Sequence, residues 1–440
     1  MKTAWYFSLV AVICFEGAGR KFLPQIPPVV FYFFKDVVLL FGYLRFRRPG
    51  YITTVNRWLY RGFKVFWVIG FCWTVIQVFN PDQTSFPLAV LGLRSYWLWW
   101  AAPPIVASIL DDEKEKQRAL YVLLGTAVVV SIFGAIQFAL PASSPLNAYA
   151  TMGGEEVATA VVVSTGRSRV SSTFSYVSGF SDFNILIPPL IMSLGLDARD
   201  RRLRWGAIVV TCMTAAVVPM SGSRASIVLG LAVLAIAVWS AGLVATRVGR
   251  RIALGGATAG VLAVVVFPEA FLGVQSRFEN VEETQGRFVQ VAAMAVPPLA
   301  MAIYDYPAFG LGTGMQQNAR AAMAIPVKYN VEVEAGRYLV ELGVVGFLFV
   351  WLAKVGLVVA LMRSYLVLKR AQRRGAAAAA LSYAFLTLIG NLAFDHIWQA
   401  LYFLGCGSIL AEVASVMRER AAAVAAKGGA AVTGRAATAA

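Results

Sequence analysis

Long apolar runs alternate along this chain with shorter polar stretches. Runs centred near Leu9, Val37, Ile69, Pro103, Val129, Ile187, Val210, Leu231, Val261, Leu348, Leu386 and Phe403 each approach the length of a spanning helix, for which about 20 largely apolar residues suffice. The pattern predicts an all-α polytopic membrane protein of about 12 transmembrane helices. Lys2 followed by the apolar run Ala4–Phe15 has the outline of a signal peptide. No small-x-small cleavage site follows it, and Ile13 before Cys14 is wrong for a lipoprotein. A retained, rather short first helix is expected.

The polar stretches give an orientation. One loop carries Arg45, Arg47, Arg48, Arg57, Arg61 and Lys64 without an acidic residue; a second carries Arg199, Arg201, Arg202 and Arg204. Arg247, Arg250 and Arg251 mark a third, and Arg363, Lys369, Arg370, Arg373 and Arg374 a fourth; the mixed segment Asp111–Arg118 falls with them. If the helices alternate, all share one face, which the positive-inside bias makes cytoplasmic together with both termini. The opposite, periplasmic face receives two long segments, 141–180 and 268–337. Their apolar and aromatic content predicts packed rather than loose loops. Arg287–Ile303 has helical periodicity, and Pro307–Gly314 reads as a turn. Residues 1–420 are expected to form a single transmembrane domain, and the Ala/Gly-rich segment 421–440 a disordered cytoplasmic tail.

Composition agrees. Of 440 residues, 59% are hydrophobic and only 14% charged, against roughly 45–50% and about 25% in soluble domains. The net charge of +16 is accounted for by the basic loops, so it does not point to nucleic acid. Cys14, Cys72, Cys212 and Cys406 all lie in apolar runs without disulfide or zinc spacing. Gly310-Leu-Gly-Thr-Gly314 lacks the Lys-Ser/Thr of a phosphate loop and reads as a turn. There is no HExxH, no DxD in a plausible loop and one histidine in all, so neither metal nor cofactor is expected.

What remains is a set of charges toward the outer face. Arg224 stands in Ser221-Gly222-Ser223-Arg224, where one helix ends and the next begins. An arginine at membrane level needs a partner or a polar cavity, and the adjacent helix N-terminus favours an anion; a snorkelling interfacial side chain is the plain alternative. Arg287 opens the amphipathic part of the large loop. In Glu332–Gly343, helical spacing sets Glu334, Arg337 and Glu341 on one face. An ion pair with Arg337 suits Glu341, whereas Glu332 and Glu334 show no obvious partner and are candidate general bases. Arg20, Lys21, Arg94 and Arg169 add cations on this face, suited to a diphosphate. Lys35 and Asp36 sit inside the second apolar run and, being adjacent, point in different directions. His396 falls at the outer mouth between the last two helices.

Taken in order, Ser-Gly-Ser-Arg224-Ala, Arg287 followed by Gly310-Leu-Gly-Thr-Gly, and Glu341-Leu-Gly343-Val-Val-Gly346 resemble the O-antigen ligase and polymerase superfamily of bacterial inner-membrane glycosyltransferases, from Arg20 to about Gly407. The resemblance implies a GT-C-like fold with a structured periplasmic loop, and metal-independent transfer of a glycan from a polyprenyl-diphosphate carrier to a hydroxyl. The ligases carry a His-Asn pair before the Glu-x-Gly segment. Here Asn330 and Glu332 stand near that position without a histidine, which favours a polymerase-like branch over a ligase acting on lipid A core. The start Arg20-Lys21-Phe-Leu-Pro, with Lys35-Asp36 after it, resembles exopolysaccharide polymerases. On that reading Arg224 and Arg287 stabilise the departing diphosphate and Glu332 or Glu334 deprotonates the acceptor. Arg337, Arg169, Arg94, Lys21 and His396 help to bind the substrate. Inversion at the anomeric carbon is expected. The expected partners are the lipid-linked glycan, membrane lipids and chain-length or polysaccharide assembly proteins. A lipid-linked oligosaccharide flippase and a structural scaffold are the readings from other classes.

Overall fold

The computed structural model describes residues 1–150, 159–161, 165–198, 200–242, 264–279, 307–317 and 333–437, with isolated residues between 254 and 261 and between 320 and 331. Among the described residues there is no strand, only an isolated bridge between Val161 and Ser168. Helices are what lipid demands, because each backbone N–H and C=O must be satisfied within its own segment. In chain order they are α1 (Lys2–Phe22), α2 (Pro28–Phe46), α3 (Pro49–Leu59), α4 (Lys64–Gln77), α5 (Phe86–Trp97), α6 (Ala102–Ile109) and α7 (Glu113–Ala139). These are followed by α8 (Val177–Gly195), α9 (Arg201–Val217), α10 (Arg224–Ser240), α11 (Pro268–Glu279), α12 (Glu334–Arg370), α13 (Arg374–Ile389) and α14 (His396–Ala437).

Among the described residues, five helices are long and apolar enough to cross a membrane: α7, α8, α9 with its terminal turn, α12 and α14 as far as Ala426. The pair α3 and α4, bent by 98°, makes a sixth if counted as one span. α10 and α13 are apolar but shorter. Eleven of the twelve apolar runs fall on described helical elements, and the run near Val261 lies mostly outside the described residues. The lower count has local causes. Charges interrupt α1 at Glu16, Arg20 and Lys21, and α2 at Lys35 and Asp36. The run near Pro103 is broken, because Pro103 and Pro104 open α6 behind a 3₁₀ turn rather than continue α5.

Four of the basic segments meet at one end of the molecule, while that of Arg247, Arg250 and Arg251 lies outside the described residues. Asp111 pairs with Arg48 at 3.1 Å and also with Arg418. Lys116 pairs with Glu412, and Arg373 with Glu419 at 2.8 Å. Arg363 donates to the Arg61 carbonyl at 2.9 Å, and Asp197, before the loop of Arg201–Arg204, accepts from the Ala376 amide. Carboxylates thus tie together the cationic loops that the sequence placed on a common face.

Two segments differ from expectation. The approach to the span near Leu348 is not a straight continuation. Residues 334–342 form a short helical arm that reverses at Gly343, where φ is 67° and ψ is −175°, and folds back along 344–370. A residue with a Cβ is strained there, and a Cβ on Gly343 would stand 2.2 Å from the Ala308 carbonyl oxygen. The second difference is the tail: past Arg420, α14 continues helical to Ala437. Alanine has the highest intrinsic helix propensity, and the run 421–426 is mostly alanine.

Residues 171–173 of the segment after α7 are packed against the helices. Gln137 receives the Ser172 amide at 2.7 Å and donates to the Ser172 carbonyl, while Thr173 donates its hydroxyl to the Cys14 carbonyl at 2.6 Å. Buried Ser171, Ser172 and Thr173 therefore wedge between α1 and α7, which brings the N-terminus of α8 to the outer ends of α1 and α2.

Candidate functional site

The wedge, α1, α2, α5 and the turn before α14 surround a network of charges on the side away from the basic loops. Glu16 of α1 pairs with Arg20 at 2.7 Å and with Lys35 of α2. Asp36 pairs with Arg94 of α5. Lys35 and Asp36 thus serve different partners, as adjacent helical positions require. Tyr32 stands between them. Its hydroxyl receives Arg94 Nη1 at 3.0 Å and bonds His396 Nε2. Its ring lies 4.6 Å from both Lys35 Nζ and the Arg94 guanidinium carbon, within cation–π range.

Beside this network lies a cavity of about 220 Å³, whose walls include Glu16, Arg20, Tyr32, Tyr176, Asp395 and His396. Lys21 of α1 donates to Ser171 Oγ at 2.7 Å and to the Ser172 carbonyl. Asp395 caps α14 by accepting from the amides of Ile397 and Trp398, each at 3.1 Å. Asp182 of α8 is buried, and its Oδ2 has no hydrogen-bond partner among the described residues.

A second polar group underlies the cavity. Glu334 accepts from the Tyr338 hydroxyl at 2.7 Å, from the amides of Leu392 and Ala393, and from Lys354. Three of these donors share Oε1, and Lys354 alone reaches Oε2; the partner that the sequence did not suggest for Glu334 is Lys354. The same loop presents Phe394 to the cavity, with the Arg337 guanidinium 5.4 Å from its ring centre. Arg337 also donates to the Val331 carbonyl at 2.9 Å.

Glu341 is equally engaged. It accepts from the amides of Gly314 and Gln316 at 2.9 and 2.6 Å and from the Tyr96 hydroxyl at 2.9 Å. The glycine run 310–314 is therefore a turn wrapped on the carboxylate of Glu341, and two of the amides a phosphate would seek in and beside it are already occupied. A Cβ on Gly310 would lie 2.4 Å from the Glu341 carbonyl oxygen, so the two motifs specify each other.

At the turn between α9 and α10, Gly222 adopts a left-handed conformation (φ 59°) and Ser223 caps α10 by accepting from the Ser226 amide. Arg224 is the first residue of α10 and half-buried. Arg169 reaches the same turn, its Nε donating to the Ser221 carbonyl at 3.2 Å, and the Val170 amide bonds the Met220 carbonyl. Two of the expected cations thus meet at one helix N-terminus. Arg287 and Glu332 lie outside the described residues, as do Asn330 and all of Arg287–Ile303.

Of the expected residues, His396 lies on the cavity wall, Arg94 bonds Tyr32 of that wall, and Lys21 bonds Ser171 and Ser172; Arg337 faces Phe394, Glu334 holds the amides of Leu392 and Ala393, and Arg169 reaches the turn that leads into Arg224. Glu16, Tyr32 and Asp182 were missed. Glu16 and Asp182 had a signal, since an ionisable residue inside an apolar run marks function or pairing; Tyr32 had none. Among the described residues no group of three or more His, Cys, Asp or Glu side chains is placed to hold a metal ion. Neither a protein-family model nor a curated protein sequence matches the chain.

Proposed function

We propose that the protein is a glycosyltransferase of the bacterial inner membrane that polymerises polyprenyl-diphosphate-linked oligosaccharide repeat units on the periplasmic face. The observation that carries this reading is the cavity walled by Arg20, Tyr32, Asp395 and His396 at the end opposite the basic loops. A lipid-linked diphosphate brings its own leaving group, so the protein must bind the anion, orient the acceptor hydroxyl and remove its proton. Arg224, with Arg169 beside it, offers a helix N-terminus and two guanidinium groups to the diphosphate, and Arg287 is its expected companion. Metal-independent transfer follows from the superfamily resemblance, and inversion from a single displacement in which no separate carboxylate acts as nucleophile.

Reconstitution into liposomes with a lipid-linked repeat unit is the test. Products of increasing length, formed without ATP or an ion gradient, support the polymerase. A single transfer onto a lipid A core makes it a ligase instead. The flippase reading draws on the charges Lys35, Asp36 and Lys354 buried inside helices, which a transporter also places within its spans. Translocation without new glycosidic bonds would establish it and remove the transferase.

A further inference from the structure

We propose that the cavity walled by α1, α2 and the starts of α8 and α14 seats the terminal sugar of the acceptor, a neutral pyranose that rests on the ring of Tyr176. The inference builds on the transfer reading above and gives its acceptor a chemical class and a platform.

The wall is ill suited to an anion. Glu16 and Asp395 both stand on it, and the Arg20 guanidinium beside them is already paired with Glu16 at 2.7 Å. Lys35, just behind, is held by Glu16 and the Tyr32 carbonyl, and Arg94 by Asp36. Among the described residues a diphosphate would therefore meet two carboxylates and no uncommitted guanidinium or ammonium group. A sugar hydroxyl both donates and accepts, and the wall offers both functions. Carboxylates accept, Arg20 donates, and the hydroxyls of Ser175 and Ser178 do either. A hexose has roughly the bulk of six waters at about 30 Å³ each. A cavity of about 220 Å³ thus takes one ring and leaves the rest of the chain outside.

The platform is Tyr176, a wall residue that is 47% exposed. Its ring is braced edge-on by buried Tyr149, with the ring centres 4.9 Å apart. Tyr149 is fixed in turn, because its hydroxyl donates to the Arg169 carbonyl at 2.6 Å and the next amide, of Ala150, bonds the Ser175 carbonyl at 3.0 Å. An exposed aromatic ring held this way needs no ordering when a ligand arrives, and its face matches the C–H face of a pyranose while the polar wall takes the hydroxyls. Arg169 also reaches the Ser221 carbonyl in the turn before Arg224. The sugar platform and the turn proposed for the diphosphate are therefore joined through one side chain, Tyr149.

In a background with the four cysteines replaced, Ser178→Cys puts a thiol on the exposed part of the wall. Its reaction with a maleimide is followed in the presence of the methyl glycosides of glucose, galactose and mannose, or of inorganic diphosphate. At least one glycoside is expected to slow labelling severalfold, and diphosphate to have no effect. Added Tyr176→Ala is expected to abolish the protection, and Tyr176→Phe, which keeps the ring, to retain it. In the transfer assay Tyr176→Ala is expected to raise KM for the lipid-linked unit about tenfold with kcat nearly unchanged, the mark of lost binding. Protection by diphosphate makes the cavity an anion site, and protection by no glycoside leaves it without a sugar. Protection that survives Tyr176→Ala, or is lost equally in Tyr176→Phe, removes the ring as platform. Each of these results overturns the inference. The labelling needs no catalysis, so a wild type that forms no glycosidic bond removes the transfer reading alone.

Discussion

Glu334 and Lys354 are separated by 20 residues within one run of helical residues, and their side chains form a buried ion pair. A straight helix would hold them about 30 Å apart. The contact exists because the chain reverses at Gly343, and the pair fastens the short arm to the long one. Lys354 also donates to the Gly390 carbonyl at 2.9 Å, and Glu334 holds the amides of Leu392 and Ala393. One ion pair therefore ties the hairpin to the loop that carries Asp395 and His396.

Removing one partner of a buried pair leaves an uncompensated charge and costs about 3–5 kcal/mol. Lys354→Met is expected to destabilise by that order, and Glu334→Gln with Lys354→Met together to recover much of the loss. Unfolding of detergent-solubilised protein, analysed as a double-mutant cycle, checks this. A Lys354→Met variant as stable as wild type would show that the pair does not fasten the hairpin.

The reversal itself is open to test. Gly343→Ala and Gly310→Ala place Cβ atoms at 2.2 and 2.4 Å from carbonyl oxygens, in backbone conformations of positive φ. Both are expected to lower the melting temperature and the yield of monodisperse protein. Gly125→Ala is the control, since its Cβ meets nothing within 4 Å; equal losses in all three would remove the argument from close approach.

Tyr32→Phe deletes the oxygen shared by Arg94 and His396. Leaving a buried donor or acceptor unsatisfied costs about 1–3 kcal/mol. The expected outcome is a destabilisation of that order together with slower glycan transfer, read by unfolding and by product formation in liposomes. Unchanged stability would mean that water replaces the hydroxyl without loss.

Arg224→Ala and Arg287→Ala are each expected to lower transfer by about 10²–10³, the usual cost of losing one preorganised charge contact. Glu332→Gln and Glu334→Gln test the two carboxyl groups that the sequence offers as the base: a loss of about 10²–10⁴ in the same liposome assay is expected in the variant that removes it, and wild-type rates in both would take the role from either.

Sidedness has its own measurement. In a background with the four cysteines replaced, Ser143→Cys, on the exposed segment after α7, is expected to react with a membrane-impermeant maleimide added outside spheroplasts. Arg57→Cys, in the exposed basic loop, is expected to react only after lysis. The reverse labelling would invert the orientation and with it the proposed face of action.

Hydropathy and local rules determined much of this protein. Apolar runs placed the helices, because lipid leaves the backbone no other way to satisfy its polar groups. Basic loops predicted a common end, and ion pairs through Asp111, Glu412 and Glu419 gather most of them there. Ser221–Arg224 read as a turn into a helix, and Gly222 and Ser223 make it one. Partnership was beyond such rules. That Lys35 serves Glu16, that Lys354 meets Glu334, that Glu341 fills the amides of Gly314 and Gln316, and that Tyr32 reaches His396 across 364 residues depend on how helices pack and where the chain reverses. A charge in an apolar run announces by its desolvation cost that it needs a partner; only the packed structure decides which one it finds.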